Sequence, residues 1–162
     1  MERFSVFLTV GTQLPFDRLV RACEQTHAES ALDFRVTYQV GNGGHAPLHG
    51  ECYEVMTRAQ FDSALQSSDL VITHAGIGSI VSCISQGKPV IVLPRLAAFG
   101  EHRNDHQLAT ARAIESEVMV AKDAQDVSRL LLASIRNEDH QKGPGDALNF
   151  DFSLQLMKII GQ

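Results

Sequence analysis

Leu70-Val71-Ile72-Thr73-His74-Ala75-Gly76-Ile77-Gly78-Ser79 is the stretch on which the reading of this chain turns. Leu70 to Thr73 is a short run of apolar and β-branched residues and reads as a strand. A helix is expected from about Gly78 to Gln86, with Gly87 as its C-terminal cap and Pro89 barring continuation. A strand, a glycine turn and a helix start together make an anion site. Glycine lets the backbone approach a phosphate, and N–H groups at a helix start lack intrahelical acceptors and point at it. Ser79 adds a hydroxyl donor. His74 adds a ring N–H, a stronger donor when protonated. The same spacing also suits a tight turn with a capping serine, so by itself it leaves both readings open. It is not the dinucleotide fingerprint, because Val81 stands where a third glycine would. Nor does any GxxxxGK[ST] pattern mark a nucleoside-triphosphate loop.

Outward from this stretch, strands and helices alternate. Phe4 to Val10 reads as a strand bounded by Gly11. Pro15 suits the first turn of a helix, with Phe16, Leu19, Val20 and Cys23 on its buried stripe. Phe34 to Val40 is a second strand closed by Gly41-Asn42-Gly43-Gly44, Cys52 to Met56 a third, and Ala59 to Ser67 a helix. Val90 to Leu93 is nearly pure aliphatic, as a parallel strand covered on both faces should be. A helix from about Arg103 to Glu115, a strand Val118 to Ala121 and an amphipathic helix through Val127, Leu130, Leu131 and Ile135 follow. Lys142 to Gly145 breaks the chain, and Leu154 to Ile160 reads as a last short helix. The pattern predicts one α/β domain over residues 1–162, with a doubly wound, Rossmann-like, mostly parallel sheet. Ligands of such sheets bind beyond the carboxyl ends of the strands. That rule selects the loops 11–14, 41–44 and 74–79.

The totals agree with a single globular domain: 162 residues, 44% hydrophobic and 20% charged. A formal net charge of -5 speaks against a general nucleic-acid binder. The apolar runs are too short to cross a membrane, and the N-terminus lacks the basic and apolar regions of a secretory leader. Cys23, Cys52 and Cys83 are odd in number and lack metal-ligand spacing, so they read as reduced thiols of a cytoplasmic protein.

From Asp69 to Gln107 the chain resembles the C-terminal domain of family 28 glycosyltransferases and their GT-B relatives. The likeness rests on Asp69 to Ser79, on Gly87-Lys88-Pro89-Val90-Ile91-Val92-Leu93-Pro94, and on His106-Gln107. The opening Thr9-Val10-Gly11-Thr12 with Phe16-Asp17 resembles the start of the small catalytic subunits of two-subunit enzymes. One group of these adds N-acetylglucosamine to a dolichol-linked oligosaccharide; another works in bacterial exopolysaccharide assembly. The resemblance implies a UDP-sugar donor bound without a metal or other cofactor. Gly76, Gly78 and Ser79 would hold the diphosphate, and Gly11 and Thr12 would line the same cleft. His106 and Gln107 would contact the sugar or adjoining phosphate, and the uracil would lie near Val55 and Met56. Ser82 stands where many relatives carry an acid that grips the ribose. The resemblance also implies a membrane-anchored, acceptor-binding partner subunit, a lipid-linked acceptor, and recruitment to the cytoplasmic membrane face.

His74 and Glu101 are the local candidates for the general base that the acceptor hydroxyl needs, unless the partner supplies it. Arg95 and Arg103 read as phosphate neutralisers or surface charge. The histidines match no zinc pattern, and no Asp-x-Asp pair is present to hold a metal on a diphosphate. Two other readings stay open: a non-catalytic nucleotide-binding module, and a UDP-sugar epimerase-like domain.

Overall fold

The computed structural model of the chain describes residues 3–136. Strands β1 (Phe4–Thr9), β2 (Phe34–Gln39), β3 (Glu51–Tyr53), β4 (Leu70–His74), β5 (Val90–Leu93) and β6 (Met119–Val120) form one sheet. Its order is β3-β2-β1-β4-β5-β6, and every pairing is parallel. Helices α1 (Asp17–Glu29), α2 (Arg58–Ser67), α3 (Ile77–Ser85), α4 (His106–Ile114) and α5 (Ala124–Arg136) cover it.

The two-residue period of the strands divides the core into two layers. Val6, Leu8, Leu70, Ile72, Ile91 and Leu93 point to the face covered by α1 and α5, where Leu19, Val20, Cys23, Val127 and Leu131 are buried against them. Phe7, Val71, Val90 and Val92 point to the other face, under Leu65 of α2, Ile80 and Ile84 of α3, and Ile114 of α4. The central strands are therefore apolar on both sides, which a parallel sheet between helix layers requires.

Helix ends follow local chemistry. Thr57 caps α2 in a reciprocal box: its hydroxyl accepts from Gln60 N, and Gln60 accepts from Thr57 N. Gly87, at φ 68°, closes α3 in a Schellman turn, with Lys88 N donating to Cys83 O and Gly87 N to Ile84 O, both at 3.0 Å.

Several boundaries differ from the sequence reading. Pro15 lies ahead of α1, because Phe16 is its non-helical N-cap and the helix opens at Asp17. Helix α4 starts at His106 rather than Arg103. The Asn104 side chain accepts from His106 N and the Asp105 side chain from Ala97 N, which folds residues 101–105 into turns. Strand β3 ends at Tyr53 instead of running to Met56, although Glu54 O still accepts from Gly41 N at 2.8 Å. The expected break at Lys142 to Gly145 and the helix Leu154 to Ile160 lie outside the described residues.

From β1 the chain steps outward to β2 and β3 on one side, and from β4 to β5 and β6 on the other. The carboxyl ends of β1 and β4 are adjacent, with Thr9 in register with Thr73. Their following loops part there and leave the crevice in which such sheets bind ligands.

Candidate functional site

The crevice is a cavity of about 560 Å³, within the range of small-ligand pockets. Gly11, Thr12, His74, Gly76, Gly78, Ser79, Ser82 and Gln107 of the sequence reading all line it, as do Val55 and Met56. His106 and Glu101 do not. Among the described residues the walls carry the cations Arg58 and Arg95 and no carboxylate.

One wall is the start of α3. Gly76 is its N-cap, no side chain caps it, and the first intrahelical bond runs from Ile80 N to Gly76 O at 3.1 Å. The amides ahead of Ile80 thus have no partner inside the helix, and the positive end of the dipole faces the cavity. The two glycines serve different ends. A Cβ on Gly76 would strike the His74 ring, so this glycine is demanded by the protein itself. A Cβ on Gly78 would meet nothing within 4 Å, so only something entering the cavity could need its bare backbone. Ser82, one turn on, donates to Gly78 O at 3.0 Å and keeps its lone pairs as acceptors for the cavity.

The opposite wall is the loop after β1. Gly11 has φ 83°, and a Cβ there would come within 2.6 Å of His74 Nε2. Its backbone is held from both ends: its N–H donates to Thr9 Oγ1 at 3.2 Å, and its carbonyl accepts from Gln39 Nε2 at 2.8 Å. Thr9 in turn donates to Gln39 Oε1. Met56, Thr57, Arg58 and Phe61 form the far end, where Val55 is 57% exposed at the rim.

His74 sits where the two loops meet. Loss of water around its ring, with Arg95 and His102 nearby, pushes its pKa down to about 3. The ring is therefore neutral at physiological pH, and the protonated donor envisaged from sequence is not the form present. Its Nδ1 lies 3.1 Å from Gln107 Nε2 and 3.4 Å from Arg95 Nε.

Gln107 is buried at the first turn of α4, and its Oε1 accepts from Ala75 N at 3.1 Å and Arg95 N at 2.9 Å. Its carbonyl thus ties the loops after β4 and β5 together instead of facing a sugar. Glu101 is also committed. Its carboxylate takes both Arg18 Nε and the Arg18 terminal nitrogen at 2.9 and 3.0 Å, and accepts from Leu96 N at 3.0 Å. A carboxylate so held, away from the cavity, is poorly placed to act as a base. Arg103 is on the surface, whereas Arg95 is only 3% exposed and is not the surface charge that sequence offered as one reading of it. Its position immediately beyond a central strand, like that of His74, was the signal for its importance. His102, whose buried Nδ1 finds no partner, was likewise visible only as one of a polar run. Among the described residues no three His, Cys, Asp or Glu side chains converge as metal ligands.

A sheet of this order, with an uncapped helix start at its switch point, defines a domain of the Rossmann-like class. The chain belongs to the glycosyltransferase family 28 C-terminal domain family, whose model it matches over residues 5–155. It is 33% identical over 121 residues to the human UDP-N-acetylglucosamine transferase subunit ALG13, a match covering 69% of this chain and 10% of that protein. It thus spans about a tenth of the length of the curated relatives it matches. The solution structure of ALG13 superposes with a TM-score of 0.63 at 21% identity, covering 99% of this chain and 98% of the other. MurG of Acinetobacter baumannii superposes at 0.64 with 16% identity, over 99% of this chain and 50% of that one. The structural likenesses show the fold: the C-terminal, Rossmann-like half of a GT-B enzyme.

Proposed function

We propose that this domain binds a UDP-sugar, with N-acetylglucosamine or a related hexose as the sugar, and is the donor-binding catalytic part of a glycosyltransferase. The observation that carries the reading is Gly78, a glycine that packing does not require, at an uncapped helix start in a cavity walled by cations and no acids. A diphosphate is the ligand chemistry that such a wall suits. The uridine would lie toward Val55 and Met56, and Ser82 would accept a hydrogen bond from the ribose. As the sugar–phosphate bond breaks, charge develops on the diphosphate. The fixed N–H groups of α3, Ser79 and the His74 ring would stabilise it there without reorganisation.

The acceptor hydroxyl must lose a proton during transfer. Among the described residues no carboxylate lines the cavity, and His74 is too weak a base for the task. The base therefore belongs to the acceptor-binding half. The human relative is named as one subunit of a transferase, which supports a separate partner here. That partner would be membrane-anchored, present a lipid-linked acceptor, and hold this domain at the cytoplasmic membrane face. Among the described residues no helix is long and apolar enough to cross a membrane.

Calorimetry with UDP, UDP-N-acetylglucosamine, UDP-glucose and UDP-glucuronate, each with and without EDTA, tests the donor reading. Binding is expected to be undiminished by EDTA. Silence of all four ligands at millimolar concentration would rule it out.

A further inference from the structure

Arg95 is a cation in the wall of an anion site, yet it has no hydrogen left for an anion. A guanidinium has five N–H donors and no acceptor. Here Nε reaches His74 Nδ1 at 3.4 Å. One terminal nitrogen reaches Pro15 O at 2.7 Å and Glu101 O at 3.4 Å, and the other reaches Val10 O at 2.7 Å and Leu14 O at 2.6 Å. The buried Phe16 ring lies under the group, its centroid 4.8 Å from the guanidinium carbon. The loop after β1 is thus wrapped around one planar fork.

The same fork determines which nitrogen of His74 carries the proton. Arg95 Nε can only donate, so Nδ1 must present a lone pair to it. Gln107 gives the same answer independently. Its Oε1 is taken by two backbone N–H groups, which turns its amide nitrogen, again a donor, toward Nδ1. With two donors on Nδ1, the single ring proton sits on Nε2. That nitrogen is turned to Gly11 and Gly76, the glycines of the two phosphate-facing loops.

We infer that Arg95 is a positioning residue that acts on the donor through His74, holding the ring as a neutral Nε2–H donor and shaping the Val10 to Pro15 loop around the diphosphate. The functional consequence rests on the UDP-sugar reading; the state of the ring does not. The charged and titratable groups facing His74 are Arg95 from the loop after β5 and His102 from the segment before α4, both of which oppose a second ring proton. Donor binding should then ignore pH across the range in which an ordinary histidine titrates. Lysine cannot replace the fork, because a point charge cannot serve four carbonyls on two segments and a ring nitrogen together.

The test is imidazole ¹⁵N NMR on the full chain from pH 5 to 8, with His74 assigned by its loss in His74→Asn, paired with calorimetry using UDP-N-acetylglucosamine. That donor is chosen because its diphosphate is esterified at both ends and keeps its charge over the range. In the parent, His74 should stay neutral with the proton on Nε2, and affinity should be flat. In Arg95→Lys and Arg95→Met the Val10 to Pro15 loop loses its fork, water reaches the ring and removes the main cause of its low pKa, and His74 should titrate. Affinity should then be weaker at pH 8 and rise about tenfold or more toward pH 5, as the imidazolium makes a charge-assisted bond. A parent ring that titrates in this range, or carries its proton on Nδ1, overturns the inference even if both variants fail to fold. So does a variant that loses affinity equally at every pH with the His74 spectrum unchanged, since Arg95 would then only support the fold. A neutral Nε2–H ring in a parent that binds no UDP-sugar would sink the donor reading and leave the state of the ring established.

Discussion

Gly76 and Gly78 show how one sequence motif hides two different reasons for the same residue. From spacing both are turn glycines; in space one makes room for His74 and the other makes room for nothing in the protein. Substitution separates them. Gly78→Val should fold as the parent does, because valine is no worse than glycine in a helix and meets no neighbour. It should nevertheless abolish UDP binding, which calorimetry reads directly. Full binding by a folded Gly78→Val would move the phosphate elsewhere. His74 makes a second claim at this scale. Its pKa is about 3 in the fold against 6.5 unfolded, so between those values the unfolded chain holds the extra proton. The stability that the neutral ring contributes is complete above about 6.5 and is lost as pH falls toward about 3, by up to about 1.4 kcal/mol per unit. Urea midpoints of parent and His74→Asn, compared between pH 5 and 7 where carboxylates stay ionised, should diverge as pH falls. Parallel curves would refute the burial argument. That His74 lies at the site was legible in the sequence. Its charge state was not, because that depends first on how the fold strips water from the ring and then on Arg95, twenty-one residues away in the chain.

At the scale of elements, what was legible followed from short-range chemistry. The four-residue aliphatic run of β5, the capping glycine of α3 and the alternation of strands with helices all act within a few residues, and they stand as read. The edges of α4 and β3 were misplaced for the opposite reason. Helix α4 starts late because Asp105 is held by Ala97 across the turn. Pro15 stands outside α1 with its carbonyl facing Arg95, eighty residues on. The same long-range bonding removed Glu101 and the Gln107 carbonyl from the ligand. Both residues lie in a polar run beyond a strand end, where sequence rightly places function. In the fold they became supports, one for Arg18 and the other for the loops after β4 and β5. Resemblance could assign positions to the site but not say which of them touch the ligand.

On the proposed function, the described residues offer one wall of a transferase cleft. The described residues form a single Rossmann-like sheet, their cavity opens at its carboxyl edge, and no acid in that cavity can take the acceptor's proton. Beyond the carboxyl ends of the strands the loops expose Leu14 at 49%, Val55 at 57% and Phe99 at 61%. Exposed apolar side chains on this edge suit a surface that is covered during work. On the proposed function the cover is the acceptor-binding partner, which also brings the base and the lipid-linked acceptor. The chain alone should then bind donor but transfer little or no sugar, and membranes carrying the partner should restore turnover. Phe99→Asp should impair that restoration while leaving UDP affinity within about twofold, since Phe99 is not among the residues that line the cavity. Sugar transfer to a lipid acceptor is measured with purified chain in detergent, then with partner membranes added. Full turnover in detergent with no second protein would show that the base and the acceptor site lie within this chain, and the two-part reading would fall.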